Sequence, residues 1–405
     1  MSKVIVIGGG PAGMMASIAA STHNNTLLIE KNEKLGKKMY ISGKGRCNVT
    51  NSKDISEFFD YIPGNANFLY SALYTFTNED TIKFFNDLNV KLKTERGDRV
   101  FPVSDKSSDI IKAMEKKLQE NKVKVLLNSH VKKLLSTDDH IESVELSDGS
   151  IIKGDYFIIA TGGKSYPQTG STGEGYIMAK NLGHNITRIM PSLVPIEIKE
   201  SFVKDLQGLS LKNVRLDIKN SKNKILYSDF GEMLFTHFGI SGPIVLSASR
   251  TVSKFDNLKA VLNLKPALSE DELDKRIQRD FEKIPNKSFK NSLDDLLPKK
   301  MIPVIIKIST IDPDKKVNSV TREERKKLVD CIQNLKLSIK GPRPIDEAII
   351  TAGGVDVKEI NPSNMKSKLV DNLYFAGEVI DVDGYTGGFN IQIALSTGFS
   401  AGSEV

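Results

Sequence analysis

The chain opens on a short apolar run, Lys3-Val-Ile-Val-Ile7, rich in β-branched residues and stopped at Gly8, which predicts a buried strand. Helix-forming residues follow over Met14–Ala20, and a second apolar run, Thr26-Leu-Leu-Ile-Glu30, predicts another strand. Val123–Leu127, Val144–Leu146 and Phe157–Ala160 read as further strands. From residue 191 to about 265 the pattern changes to short β-branched or alternating runs: Leu193–Ile198, Val214–Ile218, Ile225–Tyr227, Glu232–Thr236 and Ala260–Leu264. Between Ser269 and Lys340 the chain is rich in lysine and leucine at helical spacing, as in Asp271–Phe281 and Arg322–Leu335; Gly341-Pro-Arg-Pro344 then breaks it. A last apolar strand, Asn372–Ala376, leads through a glycine pair into a helix. No apolar run approaches the roughly 20 residues that span a bilayer, and no internal repeat or low-complexity tract is present.

The first strand, turn and helix enclose Gly8, Gly10 and Gly13 in GxGxxG spacing, with Pro11 and Ala12 inside the turn. That order has a mechanical sense. Gly8 permits the tight turn, Gly10 lets the backbone approach a pyrophosphate, and Gly13 allows close helix–strand packing. The pyrophosphate lies against the positive end of the helix. Glu30, ending the second strand, is the candidate acceptor for ribose hydroxyls, with Lys31 beside it. This fingerprint does not separate FAD from NAD.

The remaining segments favour FAD. Phe157-Ile-Ile-Ala-Thr161-Gly162-Gly163 is an apolar strand running into a glycine turn close to the cofactor path. Val131, on the connection between two strands, is either an adenine contact or an ordinary strand end. Near the C-terminus a strand ends in Gly377-Glu378, and Gly387-Gly388-Phe389-Asn390-Ile391 opens a helix. This arrangement resembles the late motif of glutathione-reductase-like flavoproteins. The resemblance implies that the acid contacts ribityl or phosphate-linked groups. It also implies that the helix start faces the pyrimidine side of the flavin, where its dipole stabilises the anionic reduced form.

More specific strings lie between. Lys38-Met-Tyr-Ile-Ser-Gly-Lys44-Gly-Arg46-Cys47-Asn48-Val-Thr-Asn51, Ala160–Tyr176, Gly231–Pro243 and Ile350–Val355, with the C-terminal segment, resemble in order the signature of the HI0933-like flavoproteins, which include BaiN-like and aminoacetone oxidase proteins. The resemblance runs from residue 1 to about residue 400. It implies an α/β fold: a Rossmann-like, glutathione-reductase-like FAD domain over 1–190 and 342–405, interrupted by a β-rich subdomain (191–265) and a helical one (266–341). Lys44 departs from the pattern, which often has glycine there; such a change is tolerated in a glycine loop only at negative φ. Arg46 and Asn48, with Cys47 between them, either contact the flavin and its phosphates or hold their loop by turn hydrogen bonds. Cys47 has no partner cysteine nearby and reads as a small buried hydrophobe.

Composition narrows the classes. Hydrophobic residues at 39 % and charged residues at 26 % describe a globular chain long enough for two or three packed units. Two cysteines and five scattered histidines leave no disulfide framework, dithiol centre or metal site. With no export signal the expected location is the cytoplasm. The net charge of +7 is spread over predicted helix surfaces, without aromatic residues interleaved, so a solvated surface is expected in place of a nucleic-acid groove. FAD, bound non-covalently, would supply the redox chemistry. Tyr166 and His237, in glycine-punctuated motifs, are the candidate proton donors. The expected activity is hydride transfer between a small organic substrate, flavin and NAD(P)H or oxygen. A flavin-dependent tRNA-modifying enzyme and a non-enzymatic flavin sensor are the rivals.

Overall fold

A computed structural model describes all 405 residues. The chain divides into two compact units, residues 1–192 with 345–405, and residues 193–344. No helix is long and apolar enough to cross a membrane.

The first unit is built on a five-stranded parallel sheet in the order Leu373–Phe375, Tyr156–Ile159, Lys3–Ile7, Asn25–Ile29, Lys124–Leu126. Val4, Ile5 and Val6 in the central strand are fully buried, as continuous apolar strands of covered parallel sheets must be. Helix Pro11–Ala20 is buried from Ala12 onward. It packs against the C-terminal helix Phe389–Ser403, where a β-carbon on Gly398 or Gly402 would strike the backbone of Ala12 or Ala16. Small residues four apart thus let two helix backbones touch.

Three antiparallel strands, Val131–Thr137, His140–Leu146 and Ile151–Lys153, form a separate sheet. Val131 therefore opens a strand, paired with Leu146, and is not on a connection.

His184 is a histidine buried without a catalytic neighbour. Its ring lies between Glu359 (Nδ1 to Oε2, 3.1 Å) and Ser367 (Nε2 to Oγ, 2.9 Å), edge-on to Phe375. Burial pushes its pKa below 6.5, outweighing the opposing pull of Glu359. The unfolded chain then binds the extra proton, so stability present above about pH 6.5 is lost as pH falls through the lowered native value. Thermal melts between pH 7.5 and 5 should show a steeper fall in Tm for the wild type than for His184→Asn; equal slopes would contradict this.

The second unit is a closed antiparallel barrel with strand order Ile196–Ile198, Gly239–Ser241, Ile225–Phe235, Ser210–Lys219, Lys259–Asn263, Leu335–Pro342 and back to the first. The runs at 225–227 and 232–236 join into one strand of 11 residues. Helices Glu270–Glu282 and Arg322–Gln333 begin at capping boxes, Ser269 with Glu272 and Thr321 with Glu324.

The proposed division at 265/266 does not hold. Leu216, Phe235 and Leu262 of the barrel share one core with Leu273, Ile277, Leu328 and Ile332 of the helices. The strand that closes the barrel, Leu335–Pro342, comes from the stretch read as helical, which ends at Gln333. The helix Pro243–Lys254 also interrupts the β-rich stretch, opening at Gly242-Pro243 with proline in its first turn.

Candidate functional site

In the first unit the carboxyl end of Lys3–Ile7 turns at Gly8, whose φ of +106° and lack of space beside the Ala160 carbonyl exclude any other residue. A β-carbon on Gly13 would fall on the Gly8 carbonyl oxygen, so helix and turn lock together. Gly10 is different: a β-carbon there meets nothing within 4 Å. The helix behind it has no side-chain cap and no acid in its first turn. Pro11 lacks an N–H, and those of Ala12 and Gly13 have no intrahelical acceptor. The result is an open, positively polarised cradle of the kind a pyrophosphate fills.

Glu30 is buried and accepts from the Gly9 N–H (2.6 Å), the Asn32 N–H (2.8 Å) and the Asn32 amide (2.6 Å). These three bonds fix the carboxylate and leave acceptor capacity for a ribose hydroxyl. Lys31 turns away to Thr172 (2.7 Å) and Glu174 (3.0 Å); Glu174 also meets His130 (3.0 Å). Burial raises the Glu174 pKa, but these partners outweigh it and hold the carboxyl below its ordinary value. With Asn32 donating to the Thr169 carbonyl (3.2 Å), residues 169–174 are strapped over the end of strand Asn25–Ile29. Asn32 and Glu174 carried no motif signal of their own.

Four buried side-chain polar atoms have no protein partner; Thr81 Oγ1 and Ser400 Oγ are on helices Asn78–Asp87 and Phe389–Ser403, while two lie in the segments assigned to the cofactor, Thr161 Oγ1, after strand Tyr156–Ile159, and Asn48 Oδ1. Buried acceptors and donors are rarely left unmatched, so both fit a bound ligand rich in hydroxyl and imide groups. Arg46 has acidic partners in the protein. Its guanidinium binds Glu95 (2.9 and 3.1 Å) and Asp105 (3.3 Å) and lies over the Phe101 ring at 4.1 Å. The Glu95 hydrogen bond holds its pKa above the ordinary value. These bonds all fall on Nη1, so the side chain is anchored by two acids as well as carried in its glycine loop.

Lys44 differs from the expectation of negative φ. It adopts φ +59°, the left-handed region, so a lysine is accommodated where negative φ was expected, its side chain exposed.

Cys47 is fully buried and burial pushes its thiol up to about 12. A thiol in that state is neither nucleophile nor redox centre. Native protein should therefore react with Ellman's reagent at Cys331 alone, Cys47 appearing only in denaturant. Two fast thiols in the native protein would overturn this.

At the far side, Gly163 packs on Thr351 and Glu378, and Gly162 sits at φ +73°. Gly377, at φ +75°, donates its N–H to Thr397 (2.9 Å). Glu378 ties three segments: it receives the Lys38 ammonium (3.1 Å), the Ser165 hydroxyl (3.1 Å) and the Thr351 N–H (2.8 Å). Lys38 and Ser165 stand in the sequence only as letters of family motifs.

Gly388, at φ +103° against the Thr50 carbonyl, starts the C-terminal helix, leaving the N–H groups of Phe389, Asn390 and Ile391 without intrahelical acceptors. The Asn390 side chain bonds Gly384 in both directions (2.8 and 2.7 Å). Phe389 stacks on Tyr61 with centroids 4.6 Å apart. Asn51 donates to Gly387 (3.0 Å) and Thr50 to Gln392 (2.6 Å), so the segment around Asn48 buttresses this helix start.

Tyr166 is half-buried at φ +51°, and its hydroxyl has no protein partner. His237 is exposed, in the turn between strands Ile225–Phe235 and Gly239–Ser241 of the second unit. The titratable side chains form no cluster able to hold a metal ion.

The family model described as the HI0933-like protein Rossmann domain matches residues 2–404. The chain belongs to the HI0933-like family. Its relatives include a 3-dehydro-bile acid delta(4,6)-reductase from Clostridium scindens, 31 % identical over 99 % of this chain and 98 % of the relative. A ribosomal RNA dihydrouridine synthase from Escherichia coli is 30 % identical over 99 % of this chain and 97 % of the relative. Among solved structures, a 3-ketosteroid delta1-dehydrogenase from Sterolibacterium denitrificans aligns with TM-score 0.51 at 12 % identity, covering 100 % of this chain and 99 % of that one, a likeness of fold. This HI0933-like chain is thus an FAD-dependent oxidoreductase of Rossmann type.

Proposed function

We propose that this HI0933-like protein takes hydride from NAD(P)H and delivers it to a carbon–carbon double bond conjugated with a carbonyl. The observation that carries the reading is the pair of uncapped helix starts in one unit, at Gly10 and at Gly388. They suit the pyrophosphate and the electron-rich pyrimidine edge of one FAD. FAD, when bound, supplies the two-electron chemistry. Gly8, Gly10, Pro11, Ala12 and Gly13 would cradle the pyrophosphate and Glu30 the ribose. Val131, Thr161 to Gly163 and Asn48 would line the cofactor's length, with Gly377 and Gly388 to Ile391 at the ring end.

The acceptor class is supported by two relatives' names. A 3-oxo steroid with 4,6-unsaturation and a uracil ring both present a double bond conjugated with a carbonyl. Hydride adds to the carbon remote from the carbonyl, a proton to the adjacent carbon, and NAD(P)H is oxidised. Tyr166, with its free hydroxyl, and His237 remain the candidate proton donors. Tyr166→Phe should lower kcat about 10²-fold or more while flavin reduction by NAD(P)H stays fast. An unchanged kcat would remove Tyr166 from that role.

A small organic enone, with no nucleic acid at the site, is the first reading of the substrate. A second reading, a uridine in ribosomal RNA, is favoured by the distribution of charge: Lys and Arg outnumber Asp and Glu 29 to 20 over residues 193–344, against 28 to 30 elsewhere. Anaerobic incubation of NADPH-reduced enzyme with cyclohexenone and, separately, with RNA from a deletion strain tests both. Reduced ketone supports the first, dihydrouridine the second, and neither product overturns the conjugated-alkene reading.

A further inference from the structure

The surplus of basic residues in the second unit has a specific site. On the outer face of the barrel, Lys219, Lys259 and Lys336 project from three neighbouring strands, Lys219 paired with Lys259 and Lys336 with Val261. Their alternate neighbours Ile218, Ala260, Leu335 and Leu337 fill the barrel interior. These lysines therefore have no choice but to face outward. Together with Asn223, Asn334 and Asp330 they line a concavity of about 360 Å³. None of the three lysines has a carboxylate partner within ion-pair distance, whereas Lys340 and Arg343 nearby on the chain are neutralised by Glu197 (2.8 and 2.6 Å). Like charges at adjacent cross-strand positions destabilise a sheet. Here they persist with Asp330 at the rim and Asp217 on the same row, the latter buried and already held by Ser228 and Arg215.

The same face carries an unpartnered aromatic ring. Phe230 is 58 % exposed and pairs across strands with Arg215, itself exposed and only 3.5 Å from the buried Asp217. Arg215 is four residues from Lys219 on one strand, so ring and lysines are spaced about 13 Å apart at ~3.3 Å per residue. Unpaired cations at this spacing beside an exposed ring match a single-stranded nucleic acid, whose phosphates seek cations and whose bases stack on rings. A small anion would need neither the length nor the ring.

We propose that this face of the barrel docks a single-stranded segment of RNA, phosphates on Lys219, Lys259 and Lys336 and a base on Phe230. The inference rests on the second reading of the substrate. It concerns where RNA is held, not the chemistry done on it.

The test is fluorescence anisotropy of a labelled 15-residue oligouridylate titrated with the FAD-loaded protein between 50 and 300 mM KCl. Wild-type protein should bind with a logarithmic salt slope of about −2, since each phosphate contact on a single strand contributes about 0.7. The Lys219→Ala, Lys259→Ala, Lys336→Ala triple variant should bind at least about tenfold more weakly with that slope nearly abolished. Phe230→Ala should lose about fivefold or more with the slope unchanged. Flavin content and bleaching by NAD(P)H, read on the same samples, report folding and the reductase reading separately. Absence of wild-type binding, or a triple variant that binds like wild type, overturns the docking face even where the flavin is reduced normally.

Discussion

Gly10→Val is expected to yield a folded protein that no longer retains FAD. A β-carbon at Gly10 meets no protein atom, so the substitution adds no clash inside the fold. The open space is where a pyrophosphate has to approach the N–H groups of Ala12 and Gly13. Charge-assisted hydrogen bonds of this kind contribute about 1.5–3 kcal/mol each, so losing two weakens binding by roughly 10²- to 10⁴-fold. Flavin absorbance per protein after gel filtration, with circular dichroism as the check on folding, measures it. A folded Gly10→Val protein with wild-type flavin content would mean that the cofactor lies elsewhere.

Gly13→Ala makes the opposite prediction from three residues away. Its β-carbon would land on the Gly8 carbonyl oxygen, and both partners are backbone, pinned by the strand on one side and the helix on the other. Overpacking of this kind costs about 3 kcal/mol. For a unit of this size that lowers Tm by roughly 10 °C. Differential scanning calorimetry of the cofactor-free protein isolates the effect from FAD binding. An unshifted transition would show that the turn and helix are not locked as described. The two glycines, alike in the fingerprint, thus separate into one that serves the ligand and one that serves the fold.

That separation also shows which parts of the molecule are legible in the sequence. Lys3–Ile7, Pro11–Ala20 and Asn25–Ile29 are specified locally: a continuous apolar strand, a glycine turn and a helix within thirty residues. The helices that start at Ser269 and Thr321 are announced by their capping boxes. The strand Leu335–Pro342 is masked although Leu335, Leu337 and Ile339 alternate with Lys336, Ser338 and Lys340 at the strand period, because the helical spacing of Leu328, Ile332 and Leu335 runs directly into it. In the candidate site the backbone positions, at Gly8, Gly10, Gly13 and Gly388, follow from steric rules that act within a few residues. Side-chain partnerships do not. Arg46 meets Glu95 and Asp105, and Lys38 meets Glu378, across 49 to 340 positions of sequence. The absence of aromatic–basic interleaving along the chain was equally local: Phe230 and Arg215 become neighbours only through strand register.

The most direct measurement is the anaerobic visible spectrum of the purified protein, reconstituted with FAD and then titrated with NADH and NADPH in turn. An oxidised-flavin spectrum at about one FAD per chain, bleached by one of the two donors and restored by an enone or by unmodified RNA, is the predicted result. A protein that shows no flavin spectrum after reconstitution would contradict the account at its base.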